Sequence, residues 1–411
     1  MTHTRKHTHR RPQTPDNRVR SLKLFQAARE QESSTKNNNG TMHLIVSQAI
    51  RIFTASLSCL SSSTIAIMIL ISDTGLQSPY SRIIFGLSIG DILQSGGIII
   101  SPFTVPSDTP DAPWARGNVE TCEATGFFLF IGGNIVPFYT VFLSYYFLKR
   151  VKDKVTPKEF TRKYELVIHL ITWLYTIIAG FVGLARDNFN PSGEGSVCIM
   201  MDNPKSCSTD PETYGQCIRG KNAPKDSIFT VVLPLVLSCF AIIVNLVRLT
   251  IHVYFEEKML QKSRQSDSAG AEIDDSNGCC RRHSRHQEIE TEPPSDQENL
   301  TPQNQAKSLA MQSLGQSSLY ICACILVNFF PIVAYIFAAI GKPRPDFVHW
   351  GVSLFWPLGG FFNILIYTRP KVTKMRRVYP ELSHFSWFVL FLVIVVSGGE
   401  VPEIDLGSNE C

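Results

Sequence analysis

Asp91 is the residue in this chain most able to do chemistry. It stands in Gly86-Leu87-Ser88-Ile89-Gly90-Asp91-Ile92-Leu93, within a long apolar run, and it is the only carboxylate deep inside one. A carboxylate in apolar surroundings is costly, so it faces a protein-lined or water-filled interior and marks a polar site. Asn363 in a later run, with Asn134, Asn245 and Asn328 in others, supplies further polar groups able to bridge helices. Hydrolytic and phosphoryl-transfer signatures are absent: there is no His-Glu-x-x-His, Gly-x-Ser-x-Gly or Gly-x-x-x-x-Gly-Lys, and no Cys/His cluster with zinc spacing. The expectation is a protein that is not an enzyme and uses no cofactor. His169 is alone in its run, where a hydrogen-bonding or packing role is expected. Ion conduction or proton pumping needs several ionisable residues along a path, and one Asp does not make one.

The elements that must position Asp91 are seven apolar runs: Ser47–Ser72, Arg82–Phe103, Thr121–Leu148, Tyr164–Ala185, Ile228–Phe255, Ser317–Ile340 and Phe347–Tyr367. Each approaches or exceeds the ~20 residues that a helix needs to cross a bilayer. Lipid offers the backbone no hydrogen-bond partner, so each run must cross as a closed helix. The fold class is therefore an all-α membrane protein, a seven-transmembrane bundle. Prolines at 137, 234, 331 and 357 fall inside the runs and should bend or locally open their helices.

Average composition hides this division. The 411 residues are 44% hydrophobic and 18% charged, values that a soluble enzyme could show, but nearly all the charge lies outside the runs. A net charge of +4 is too small to argue for nucleic acid, and the basic residues flank membrane segments, where anionic lipid is the natural partner. Lys and Arg are also divided unequally between alternate loops. One side holds Arg82, seven residues from Lys149 to Lys163, seven from Lys258 to Lys307 and five from Arg369 to Arg377, twenty against eight on the other. The positive-inside rule then places the N-terminus outside and the C-terminus in the cytoplasm, at a multi-pass plasma-membrane position. Residues 1–40 lack an apolar segment with a cleavage site, so the first run is expected to serve as its own signal.

The outer side carries four of the eleven cysteines, Cys122, Cys198, Cys207 and Cys217, an even number suited to disulfides. The sequon at Asn39 falls there too and is expected to carry a glycan. Cys279 and Cys280 lie in the long inner loop, as free thiols or palmitoylation sites. Residues 1–46 are expected to form a disordered extracellular tail, residues 47–377 the seven-helix domain, and residues 256–316 a disordered loop interrupting it. Residues 378–411 make a C-terminal tail. Its apolar stretch Phe385–Val396 is too short to span and is expected to lie on the membrane surface or to enter as an eighth partial crossing.

Several of these features together resemble the G-protein-coupled receptors, between the rhodopsin-like and slime-mould cyclic-AMP-receptor-like groups. Leu87 to Asp91 is similar to the second-helix Leu-x-x-x-Asp, Trp114 with Cys122 to the first outer loop and its cysteine, and Trp173 to the fourth-helix Trp. Pro234 is similar to the fifth-helix Pro, Phe329-Phe330-Pro331 to the sixth-helix hinge, and Asn363-Ile364-Leu365-Ile366-Tyr367 to the seventh-helix Asn-Pro-x-x-Tyr. The pattern also departs: Ser144-Tyr145-Tyr146-Phe147-Leu148-Lys149-Arg150 stands where Asp-Arg-Tyr is expected, the first helix lacks its Asn, and Ile364 replaces a Pro.

The resemblance implies a cell-surface receptor that passes an extracellular ligand signal to a heterotrimeric G protein by helix rearrangement. It implies disulfides Cys122–Cys198 and Cys207–Cys217, and a polar network of Asp91, Asn363 and Tyr367 with sodium at Asp91. It implies a ligand cavity, for which Leu129, Phe130, Gly133, Phe329, Val333, Trp350 and Trp356 are the candidate lining, and a coupling surface of Tyr146, Lys149, Arg150 and Arg248. The alternative is a seven-helix transporter or channel, and a third reading is a scaffold protein with a decayed receptor fold.

Overall fold

A computed structural model describes residues 15–110, 112–192, 197–274, 302–339, 342 and 344–378 of the chain. Seven helices long and apolar enough to cross a membrane stand among them: α1 (Met42–Ile71), α2 (Pro79–Thr104), α3 (Val119–Val151), α4 (Pro157–Ala185), α5 (Ala223–Glu256), α6 (Leu314–Phe337) and α7 (Asp346–Pro370). They match the seven apolar runs. α3 is the central helix and packs against α2, α4, α5 and α6, while α1 closes the bundle against α2 and α7.

Local sequence sets the helix ends. Ser78 caps α2 by accepting the Ser81 N–H, with Pro79 at the first helical position. Asn118 and Thr121 form a reciprocal capping box at the start of α3, and Thr156 with Pro157 starts α4. The prolines act unequally. Pro137 and Pro331 lie within uninterrupted α-helix, a five-residue π turn, Ile228–Val232, ends just before Pro234, and Pro357 sits in a 3₁₀ turn, Trp356–Leu358, that breaks α7 in two.

α1 shows how one helix serves two solvents. Ser47, Gln48, Arg51, Thr54, Ala55, Ser58, Ser61, Ser62, Ile65 and Ile69 are buried, a stripe of helical period, while Phe53, Leu60, Ile67 and Leu70 stand exposed on the opposite face. An apolar outer face and a polar inner stripe invert the soluble-protein pattern, because lipid tails solvate the outside and neighbouring helices satisfy the polar groups.

Helical backbone continues beyond the spans. It starts at Pro15 and runs unbroken into α1. Its composition explains this: Leu22 to Glu32 is rich in Leu, Ala, Gln, Glu and Arg, all strong helix formers. Helix likewise runs on to Asp274 after α5 and begins at Pro302 before α6. Cys279, Cys280 and the stretch Phe385–Val396 lie outside the described residues.

One small sheet stands outside the helices. β1 (Phe189–Pro191) and β2 (Cys198–Met200) pair antiparallel, with Asn190 opposite Ile199. Cys122–Cys198 ties this hairpin to the head of α3, and Cys207–Cys217 closes a ten-residue loop beyond it. Both pairings are those that the resemblance implied.

Candidate functional site

Asp91 is 2% exposed at the centre of α2. Asn363 of α7 donates Nδ2–H to its Oδ2 at 2.6 Å, and Ser62 of α1 donates to the same oxygen at 3.3 Å. One carboxyl group therefore ties three helices together. Beside it the Gly360 N–H donates to Ser58 Oγ at 2.9 Å. A Cβ on Gly360 would come within 2.1 Å of Ser62 Oγ, so only glycine permits this approach of α7 to α1. The contact follows directly after the 3₁₀ turn at Trp356–Leu358. Tyr367 belongs to a different group, with its ring stacked on Tyr80 at 6.4 Å. Asp91 and Asn363 are thus brought together, and Tyr367 stands one turn further along α7.

The donor set at Asp91 fits a helix clamp better than a sodium cage. Oδ2 already accepts two hydrogen bonds, Ser58 Oγ is engaged by Gly360, and a Cβ on Gly359 would lie 3.1 Å from Oδ1. Among the described residues, too few uncommitted oxygens converge to replace a hydration shell.

At the disulfide end, the hairpin β1–β2 lies over the helices. Phe189 is buried edge-on against Phe130, ring centroids 5.8 Å apart, and the Cys198 N–H donates to Ser101 Oγ at 2.8 Å. Arg219, further along this loop, pairs with Glu123 of α3 and with Asp187 at 3.0 Å. Beneath the hairpin, Val197 meets Ala55, Ile98 and Leu129, with Trp356 packed against the group. Leu129 and Trp356 thus belong to one apolar group.

The other expected wall residues are dispersed. Phe130 is committed to Phe189. Gly133 is half-buried, with open space where a Cβ would stand. Trp350 lies edge-on to His43 at 4.6 Å. Phe329 is 52% exposed and Val333, one turn on, half-buried. Phe330 is the aromatic that turns inward, stacked on Phe355 at 5.4 Å and over Gly351. Sequence alone could not choose between adjacent phenylalanines, because the choice depends on the rotation of α6 against α7.

At the opposite end, Tyr146 is buried, edge-on to Phe160 at 5.0 Å. Lys149 bridges Asp153 at 2.7 Å and lies over the rings of Tyr145 and Tyr164. That hydrogen bond from the Lys149 ammonium holds the Asp153 carboxyl below its ordinary value. Arg150 donates to the Val155 carbonyl at 3.1 Å, and Arg248 is exposed. Of the four expected coupling residues, then, one is a core aromatic, two brace the α3–α4 loop and one is open.

A second network was not anticipated. Arg82 of α2 pairs through two nitrogens with Glu165 of α4, the second contact at 2.7 Å, and also donates to Thr161 Oγ1 at 2.9 Å. His169, one turn on, has Nε2 3.6 Å from Glu165 and Nδ1 2.7 Å from the Tyr139 hydroxyl. Trp173 Nε1 donates to that same hydroxyl at 3.0 Å. The chain of contacts joins α2, α4 and α3, and His169 is not solitary. The i, i+4, i+8 spacing of Glu165, His169 and Trp173 was a signal in the sequence that they share a face. Their partner Arg82 read as a loop charge.

Fold and site together define a multi-pass membrane protein built on a seven-helix bundle. The fold is similar to that in the crystal structure of squid rhodopsin, with a TM-score of 0.52 at 12% identity over 88% of this chain and 93% of that one. No protein-family model matches the chain, and no curated protein matches it either.

Proposed function

We propose that the chain is a cell-surface G-protein-coupled receptor, with its disulfide end and N-terminus outside and its C-terminus in the cytoplasm. The observation that carries the reading is the Asp91–Asn363–Ser62 clamp at the break in α7. A helix broken by a 3₁₀ turn and held by one shared carboxyl oxygen is an element with two accessible arrangements. A ligand binding more tightly to one of them shifts the balance. The apolar group under the hairpin, Leu129 with Trp356, lies on the ligand side of that break. Arg248 and the braced α3–α4 loop, with Lys149 and Arg150, form the G-protein side, and membrane lipid solvates the exposed apolar faces. Asn39 carries a glycan in this orientation.

The rhodopsin-like fold supports this reading at the level of architecture. Its test is nucleotide exchange on a panel of purified heterotrimeric G proteins, catalysed by the full chain in nanodiscs. Basal exchange should rise above that of empty discs and change in Asp91→Ala and Arg150→Ala. Solute flux through liposomes without any exchange would replace the receptor by a transporter.

A further inference from the structure

Among the described residues, four cysteines stay outside the two disulfides: Cys59, Cys239, Cys322 and Cys324. Cys59 hydrogen-bonds Ser63 within α1, and Cys322 is exposed on the lipid side of α6. Cys239 of α5 and Cys324 of α6 instead meet thiol to thiol, in a hydrogen bond that crosses between the two helices. The sulfur of Cys324 also accepts the Asn328 Nδ2–H at 3.6 Å, from one turn further along α6. Both cysteines are half-buried. Val236, Phe240 and Ile243 beside Cys239, and Ile325 and Phe329 beside Cys324, are exposed apolar residues, so the pair lies at a seam that lipid reaches.

These contacts bear on reactivity. Apolar filling is the usual task of a thiol in a membrane helix, and it needs no thiol partner on the next helix. A thiol in apolar surroundings stays neutral and inert, and it becomes a nucleophile where donors meet its sulfur. Asn328 supplies such a donor to Cys324, and the S–H of Cys324 supplies one to Cys239. Cys239 is then the sulfur better placed to carry charge, with a second thiol already beside it.

We propose that Cys239 and Cys324 form a reactive dithiol that hydroperoxides dissolved in the bilayer close to a disulfide, tying α5 to α6. The Cys239 thiolate attacks the terminal oxygen of the hydroperoxide. The O–O bond breaks, leaving a sulfenic acid on Cys239, and the departing alkoxide takes a proton to become the lipid alcohol. The Cys324 sulfur then attacks the sulfenic sulfur and the S–S bond forms. The expelled hydroxide takes the Cys324 proton and leaves as water. Two electrons have passed from the thiols to the hydroperoxide. The closed bond fixes α6 against α5 within the spans, and thiol exchange reopens it. This chemistry is independent of G-protein coupling.

The test uses the full chain in phosphatidylcholine nanodiscs treated with linoleic acid hydroperoxide. Remaining thiols are alkylated, and the digest is read by mass spectrometry. A peptide pair joined through Cys239 and Cys324 should become the main new product, lighter by two hydrogens than the separate peptides together. The unfolding temperature should rise with it, as a new covalent tie between distant parts of the chain requires. Cys239→Ser and Cys324→Ser should each lose that rise. Cys324→Ser should leave a sulfenic acid on Cys239, trapped by dimedone, and Asn328→Leu should slow the joining several-fold. No joined pair at any hydroperoxide dose that the fold survives, or joining of Cys322 to Cys239 as readily as Cys324, overturns the proposal. So does an undiminished temperature rise in both serine variants. The joined peptides are read on the wild type, so the test remains decisive even where a variant fails to fold.

Discussion

The Arg82–Glu165 pair offers the sharpest test of the helix arrangement, because it links α2 to α4 near the membrane boundary. The side chain of Glu165 is 6% exposed and that of Arg82 27%. Removing one partner of a buried pair costs about 3–5 kcal/mol, mostly through the charge left behind. Arg82 keeps a bond to the Gln77 carbonyl and some access to solvent, so Glu165→Leu should cost about 3 kcal/mol, at the lower end of that range. Arg82→Leu strands the more deeply buried Glu165 beside His169 and should cost more, about 4 kcal/mol on the same scale. The double variant removes both charges and should cost far less than the sum. A double-mutant cycle on thermal unfolding of the full chain in nanodiscs should therefore return a coupling of about 2 kcal/mol or more. Additivity within about 0.5 kcal/mol would mean that the two side chains do not act on each other, and the α2–α4 geometry would be wrong.

Asn363→Ala leaves the Asp91 carboxyl with Ser62 as its remaining hydrogen-bond donor. It should cost about 1–3 kcal/mol in thermal stability, with altered basal nucleotide exchange if the clamp governs α7. Two adjacent glycines should behave in opposite ways. A Cβ on Gly132 would lie 2.4 Å from the Gln94 backbone nitrogen, whereas one on Gly133 meets nothing within 4 Å. Gly132→Ala should destabilise by at least about 1–3 kcal/mol and Gly133→Ala by almost nothing, read from the two melting curves. Cys198→Ser frees the hairpin from α3 and should cost about 2–4 kcal/mol, measured as lost thermal stability and as faster proteolysis within 189–200. For Asp153, a carboxyl held low gives stability that is present above its unfolded pKa of about 3.9 and lost as pH falls through the folded value. Asp153→Asn should thus cost under about 1 kcal/mol at pH 7, and comparison of the melting curves should show the difference shrinking as pH falls below about 3.9.

The seven spans were legible without coordinates, because lipid imposes a condition local in sequence: about twenty apolar residues per crossing and no unpaired backbone. Asp91 was legible for the same reason, since a carboxylate in such a run stands out in one dimension. So was the kinship of Asp91 with Asn363, although only through resemblance. The residues from Leu22 to Glu32 favour helix by propensity alone, even with no core to bury.

Only the tertiary structure decided which way each helix turns. That rotation sends Phe330 inward and Phe329 outward. It also joins Arg82, Glu165, His169 and Tyr139 from three helices, and sets Arg51 against α7 instead of lipid. Spacing along one helix fixes which residues share a face. The choice of neighbour for that face depends on packing among seven helices at once, where glycines such as Gly86, Gly132 and Gly360 permit some approaches and side chains forbid others. A sequence states how much polarity the bundle contains, and close packing decides which polar groups meet.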